Sequence, residues 1–275
     1  MSATSVPTDP APTGSVPAPI GADDGLLRFS AGRNPLGPAA DAWLKAGLAR
    51  ALPDLRMDAL FAARPDLFRS AEHLVVCLDT GDGDATGSGD GSGRPVGVLG
   101  ASWASTADGE RFLHIGVQFV ARDLRGGAAF SASWLALLDD VVSRAEFPRI
   151  SVLRTYNPVA YCAMRAYGRL PGAVLYPDPQ RERRDARIGD LASRVARALA
   201  PGARFDRRSG RLAGIGVPAD LYRTRPTSDD DLVNAHFARH TRPGDRILCM
   251  VHVRSEQTIQ AILDGFSRRH RDATQ

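Results

Sequence analysis

Three apolar, β-branched runs follow one another near the middle of the chain: HLVVCLD (73–79), PVGVLGASWAST (95–106) and RFLHIGVQFVAR (111–122). The last two are separated only by the turn-forming ADGE, so the three predict an antiparallel meander. A sheet of this kind has to be covered, and the flanking segments supply the cover. AADAWLKAGLARAL (39–52) and MDALFAARPDLFRS (57–70) come before it and SASWLALLDDVVSRA (131–145) after it. All three carry apolar residues at three- and four-residue spacing, the period of a helix with one buried face. RISVLRTY (149–156) then reads as a strand, NPVAYCAMRAYGRL (157–170) as a helix opened by Asn-Pro, and AVLYPDP (173–179) closes the block.

After residue 180 the pattern changes. A polar, arginine-rich helix (181–200) leads into an irregular stretch, followed by a helix opened by SDDD (228–231). An apolar strand RILCMVHV (246–253) and a last helix to about 270 complete the chain. Three regions are expected: a Pro-, Ala-, Ser- and Thr-rich tail over 1–24, a mixed α/β (α+β) domain over 25–180, and a C-terminal α/β extension over 181–275. The strand at 246–253 is a candidate to complete the sheet of the main domain.

With 275 residues, 43% of them hydrophobic and 24% charged, the chain has the composition of a globular protein with a substantial core. No run of 18 or more apolar residues occurs, so no membrane-spanning helix is expected. The first residues have neither a basic start nor an apolar core segment and do not read as a signal peptide. Cys77, Cys162 and Cys249 are odd in number and far apart, which suits free thiols in a reducing cytoplasm rather than disulfides or a zinc knuckle. Lys45 is the sole lysine, so the formal charge of +4 and pI near 9.3 rest on arginine. That balance permits an anionic partner without requiring one. The clusters RERRDAR (181–187) and RFDRRSGR (204–211) read as solvated faces, with nucleic acid disfavoured and tRNA left open.

One loop imitates a calcium site. TGDGDATGSGDGSGR (80–94) places acidic or hydroxyl side chains at alternate positions from Asp82, but its twelfth position is Gly93 rather than glutamate. Strands, not helices, are expected to flank it, so it reads as a hairpin insertion. His236 and His240 stand one helical turn apart without a third ligand nearby; they read as surface residues, and no metal site is expected.

Two motifs bear on function. Val120-Ala121-Arg122-Asp123-Leu124-Arg125-Gly126-Gly127-Ala128-Ala129-Phe130 lies where a strand hands over to a helix. Asn157-Pro158-Val159-Ala160-Tyr161-Cys162-Ala163-Met164-Arg165-Ala166-Tyr167-Gly168 follows about thirty residues later. The order of elements and this pair of motifs resemble the GNAT superfamily of N-acetyltransferases, over roughly residues 25–180. The resemblance implies a mixed, mostly antiparallel central sheet flanked by helices. It also implies an N-acyltransferase that moves an acetyl or other acyl group directly from a coenzyme A thioester to an amine, a small metabolite for choice.

The first motif has a plain physical rationale. Backbone N–H groups at a helix start are unsatisfied, and the helix dipole favours an anion there, provided no side chain blocks its approach. The resemblance assigns the donor's pyrophosphate to Arg125, Gly126, Gly127, Ala128 and Ala129. It adds Asn157 from the second motif, and Phe119 and Val120 as the place of the oxyanion-binding N–H. The family's acid, a tyrosine, aligns with Met164; Tyr161 and Tyr167 lie three residues either side of it, and Tyr161, nearer the helix start, is the candidate. His114, flanked by Leu113 and Ile115 and facing away from them, is the candidate base; Asp108 and Glu110 are alternatives acting through water. Ala128, Phe130 and Met164 depart from the family pattern, and they keep open a non-catalytic binding module. A carrier-protein or aminoacyl-tRNA donor also stays open. The extension after 180 is a candidate for part of an acceptor pocket or for a homodimer surface.

Overall fold

The computed structural model describes residues 26–30, 35–79, 93–124, 128–143, 147–180 and 185–272. Nine strands form one sheet: β1 (Leu26–Ser30), β2 (His73–Asp79), β3 (Arg94–Ser105), β4 (Arg111–Val120), β5 (Ile150–Thr155), β6 (Ala173–Tyr176), β7 (Phe205–Asp206), β8 (Arg211–Leu212) and β9 (Arg246–Val253). Their order is β1-β2-β3-β4-β5-β9-β8-β7, and β6 also pairs with β9. Every pairing is antiparallel except β4 with β5. The sheet is therefore mixed and mostly antiparallel, as expected.

Alternation along the strands sends successive side chains to opposite faces. One face carries Leu74, Val76 and Val98 against helices α1 (Pro38–Ala51) and α2 (Met57–Ala63). Farther along the same face, Phe112, Val152 and Met250 pack on α5 (Ala186–Leu199). The other face carries Val75, Leu99, Leu113, Leu153 and Cys249. These pack against α3 (Ala128–Val142), α4 (Pro158–Tyr167), α6 (Asp231–His240) and α7 (Glu256–Asp272).

The expected meander is present with one strand more. β1 pairs along the outer edge of β2; its five residues LLRFS are too few to show a period. The second helix ends at Ala63 rather than residue 70 because Arg64 precedes Pro65, whose ring disfavours helical geometry one residue earlier. The polar helix starts at Ala186, where the Asp185 side chain accepts from the Arg187 N–H. β9 lies inside the sheet: β5 occupies one of its edges, and β6 and β8 share the other. Residues after 180 are thus woven into the same sheet.

Gly47 shows how tightly α1 lies on β3. A Cβ at this position would meet the ring of Pro95 at 2.7 Å. Gly47→Ala, which helix propensity alone would favour by about 1 kcal/mol, is expected to destabilise instead by about 1–3 kcal/mol through overpacking. Urea denaturation midpoints of the two proteins decide the sign.

Candidate functional site

The sheet opens at one point. β4 pairs with β3 through Gly100↔Val117 on one side of an irregularity and Ala101↔Ile115 on the other, so Gly116 is an extra residue in β4. A bulge of this kind bends its strand and sharpens its twist. It also exchanges faces: Ile115 packs with the α3–α4 core, whereas Val117 packs with the α1–α2 core. The parallel pairing with β5 runs only through Leu113↔Ser151, His114↔Val152 and Ile115↔Leu153. It stops at the residue before the bulge, and from there β4 and β5 diverge.

Between the parted strands lies a cleft of about 360 Å³. α2 contributes Leu60 and Arg64, β4 contributes residues 114–119, and β5 with the following turn contributes Leu153 to Asn157. The 215–222 region adds Tyr222, and β9 adds Arg246. The Ala121 N–H donates to the Val96 carbonyl at 2.8 Å. By the antiparallel alternation, the Phe119 amide is then directed at β3, and the backbone edges of Gln118 and Val120 face the β5 side.

The cleft is cationic. Arg154 follows Val152 by two residues on β5 and so lies on the same face as His114; Arg246 opens β9 on that face, and Arg64 ends α2 above it. Among the described residues no aspartate or glutamate lines the cleft, and none of the three arginines is ion-paired. One N–H of Arg154 donates to the Leu199 carbonyl at 2.9 Å, and one of Arg246 to the Asp245 carbonyl at 2.7 Å. Burial pushes all three guanidinium pKa values down; Arg154 is lowered further by Arg64 and Arg246. They remain charged, since arginine starts far above neutrality. Arg246 lies 6.0 Å from the ring centre of Tyr156, and a Cβ on Gly216 would overlap its guanidinium. The glycine makes room for the charge.

His114 shares this environment. Burial first, then the charges of Arg154 and Arg64, push its pKa down to about 3. Its cross-strand neighbours Ser102 and Val152 carry no charge to oppose them. The imidazole is therefore neutral at ordinary pH, with a lone pair available but little basicity.

The other expected site residues divide. Phe119 lines the cleft; Val120 ends β4 beside it. Asn157 stands at the rim, where its side chain accepts from the Val159 N–H at 3.0 Å and caps α4. Ala128 and Ala129 open α3, whereas Arg125, Gly126 and Gly127 lie outside the described residues, as do most of the calcium-like loop and the tail over 1–24.

Tyr161 requires correction. Its side chain is wholly buried, its ring packs edge-on to Phe237, and its hydroxyl donates to the Pro177 carbonyl at 2.6 Å. Burial drives its pKa far up, so it is a core residue with an engaged hydroxyl and not a proton donor to the cleft. Met164 is also in the core, and the Tyr167 hydroxyl is buried without a partner among the described residues. Asp108 pairs with Arg194 at 3.0 Å before the start of β4, away from the cleft, and Glu110 is exposed there. His236 Nε2 meets the Ser209 carbonyl at 3.0 Å. Cys77 and Cys249 are buried and Cys162 half-buried, and among the described residues none is in a disulfide.

Sequence reasoning missed Gly116, Gln118 and the three arginines. A glycine inside LHIGVQF signals a bulge, and an arginine inside RISVLRTY breaks an otherwise apolar strand. Gln118 stands opposite Leu99, on the α3–α4 face, and neither of its buried amide atoms has a partner among the described residues.

A wider hollow of about 1020 Å³ lies elsewhere, between β6, α5 and α6. It is bounded by Pro179 and Asp185, and the residues between 180 and 185 fall outside the described set. Its charges are of both signs, and Arg207 there pairs with Asp190 at 2.8 Å. Among the described residues no group of three His, Cys, Asp or Glu side chains is placed to hold a metal ion, and no helix is long and apolar enough to cross a membrane.

No family model matches the chain, and no curated protein does.

The depressed pKa of His114 has a signed consequence. Below about pH 6.5 the unfolded chain takes up a proton that native His114 refuses until about pH 3. Stability therefore falls as pH drops through that window, and His114→Gln is expected to flatten the fall. Imidazole NMR titration and denaturation at pH 4 and pH 7 measure both effects.

Proposed function

We propose that the protein is an N-acyltransferase that uses an acyl-coenzyme A donor and belongs with the GNAT superfamily in fold and chemistry. The observation that carries this reading is the parting of β4 from β5 at the Gly116 bulge, which leaves a cleft lined from both faces of the sheet, by Leu60 and Arg64 on one and Leu153 and Ala160 on the other. A thioester arm needs access to the reacting centre from one face and an amine from the other. The sequence RGGAA (125–129), whose Ala128 and Ala129 open α3, is compatible with a phosphate at that helix start. Gln118 supports the same assignment: its unpaired amide on that side suits the amide groups of an extended pantetheine arm.

In this reading the amine nitrogen attacks the thioester carbonyl, a C–N bond forms and the C–S bond breaks. The developing oxyanion is steadied by backbone N–H at the parted edge of β4. His114 takes the proton from the amine, directly or through water. The thiolate needs no side-chain acid, since a thiol of pKa near 8.5 is already a fair leaving group. Cysteines outside any disulfide suit the reducing cytoplasm in which acyl-coenzyme A is held.

A second reading is favoured by one specific observation: no tyrosine of α4 reaches the cleft. A binding module built on the same fold would hold coenzyme A without turning it over.

Calorimetric titration with acetyl-coenzyme A is the primary test. Binding by the wild type that is lost in Gly127→Asp supports a donor site at the turn. Absence of binding at millimolar donor sinks the acyl-coenzyme A reading. Gln118→Leu is expected to raise the unfolding midpoint of the free protein by removing an unpaired amide. The same change should weaken donor binding about tenfold, the worth of one or two hydrogen bonds. Where transfer is detected, His114→Gln should lower kcat by about 10²–10⁴-fold. Tyr161→Phe should leave kcat within about twofold while costing about 1–3 kcal/mol of stability. Binding with no turnover of any amine selects the second reading.

A further inference from the structure

We propose that the cleft is built to hold an anion, and that the acceptor is a small amine carrying a carboxylate or phosphate group bound by Arg64, Arg154 and Arg246. The word acceptor rests on the transferase reading; the anion site does not.

The geometry is one-sided. The three arginines come from three separate elements, the end of α2, the penultimate residue of β5 and the start of β9, and converge on the same face of the sheet. A guanidinium presents five N–H donors and no acceptor. Arg154 and Arg246 each give one side-chain donor to a main-chain carbonyl, and the Arg64 guanidinium has no hydrogen-bonded partner among the described residues. Most of the donor capacity in the cleft is thus unspent.

Several arginines elsewhere are matched to acids: Arg165 meets Asp230 at 2.7 Å, Arg211 meets Asp245 at 2.8 Å and Arg149 meets Glu256 at 2.6 Å. In the cleft, half-buried Arg154 and Arg246 have no such acid, although burial makes an unpaired charge costly. Carboxylate and phosphate oxygens are the natural partners of guanidinium forks. The charge lies inside a cleft of about 360 Å³ walled by Phe119, Tyr156 and Tyr222, the size for a molecule of amino-acid scale. A polyanion such as RNA would call for a charged outer face instead.

The same arrangement resolves a difficulty with His114. In the free protein its proton affinity is too low for it to deprotonate an ammonium group efficiently. The groups responsible besides burial are Arg154 on β5 and Arg64 on α2; among the described residues no carboxylate lines the cleft to offset them, and Asp245, which acts on Arg246, is paired with Arg211. An anion on the arginines cancels part of their field and raises the basicity of His114 only when the acceptor is in place.

The test uses the full chain without coenzyme A. Inorganic phosphate is titrated in low-salt, phosphate-free buffer, with heat and the His114 imidazole resonances as readouts. Binding is expected, with the His114 pKa rising on saturation. Arg64→Gln, exposed at the end of α2, and Arg246→Gln should each weaken binding about tenfold or more, the loss of a charge-assisted contact. Gly216→Ala, which displaces the Arg246 guanidinium without removing it, should do the same if Arg246→Gln fails to fold. The His114 shift is the readout for the arginines, since phosphate held elsewhere on the chain adds heat without moving it. No binding at tens of millimolar phosphate, or binding undiminished in Arg64→Gln and whichever of the other two variants folds, overturns the inference.

A second arm compares acyl transfer to phenylalanine with phenylalaninamide, and to phosphoethanolamine with ethanolamine. Preference for the anionic member of a pair supports the inference, and the pair that responds tells carboxylate from phosphate. Equal or better use of the neutral members overturns it while leaving the transferase reading standing. Phosphate bound at the arginines with no donor binding has the opposite meaning: the anion site holds and the transferase reading fails.

Discussion

A single inserted residue organises the molecule. Gly116 adds one position to β4, and its effects run in two directions. Toward β3 the ladder simply changes phase and continues. Toward β5 the parallel pairing ends, because the strand on one side has turned while the other has not. A continuous sheet would have been the better-bonded structure locally, since parted strands leave main-chain groups at an open edge. The fold tolerates that opening because both faces are buried elsewhere by helices, and the core on each face continues past the gap. A cleft, a change of face and an exposed strand edge therefore share one cause.

What the sequence made legible follows from how strongly each feature imprints on neighbouring residues. The meander, the helix opened by Asn157 and the buried strand at 246–253 show periodicity or capping chemistry over several residues, and the structure has each of them. The end of α2 was misread because apolar spacing continues through Leu67 and Phe68, yet the bond before Pro65 interrupts the helix. β1 was missed for lack of length.

At the site the legibility is weaker, and the reason is geometric. His114 and Phe119 both line the cleft, yet strict alternation sends them to opposite faces; only the Gly116 bulge brings them to one. Tyr161 was placed by its distance along a helix. That distance does not report which way α4 is turned, and Phe237, from a helix more than seventy positions later, claims the ring. The three arginines are invisible as a group because their positions span most of the chain. Only the pairing of β9 against β5 brings Arg246 beside Arg154.

That pairing has a consequence for how the cleft comes into being. The central strand β9 is nearly the last element of the described chain, and its partner β5 is made long before it. Contacts between segments so distant in sequence carry a large loop-closure cost and form late. During synthesis the meander, α3 and β5 emerge and can associate while β5 still presents an unpaired edge. Arg246 and the 215–222 region arrive only when β9 docks. The positive pocket is thus among the final products of folding, and a chain stalled before residue 253 would carry an open sheet edge in place of a binding site.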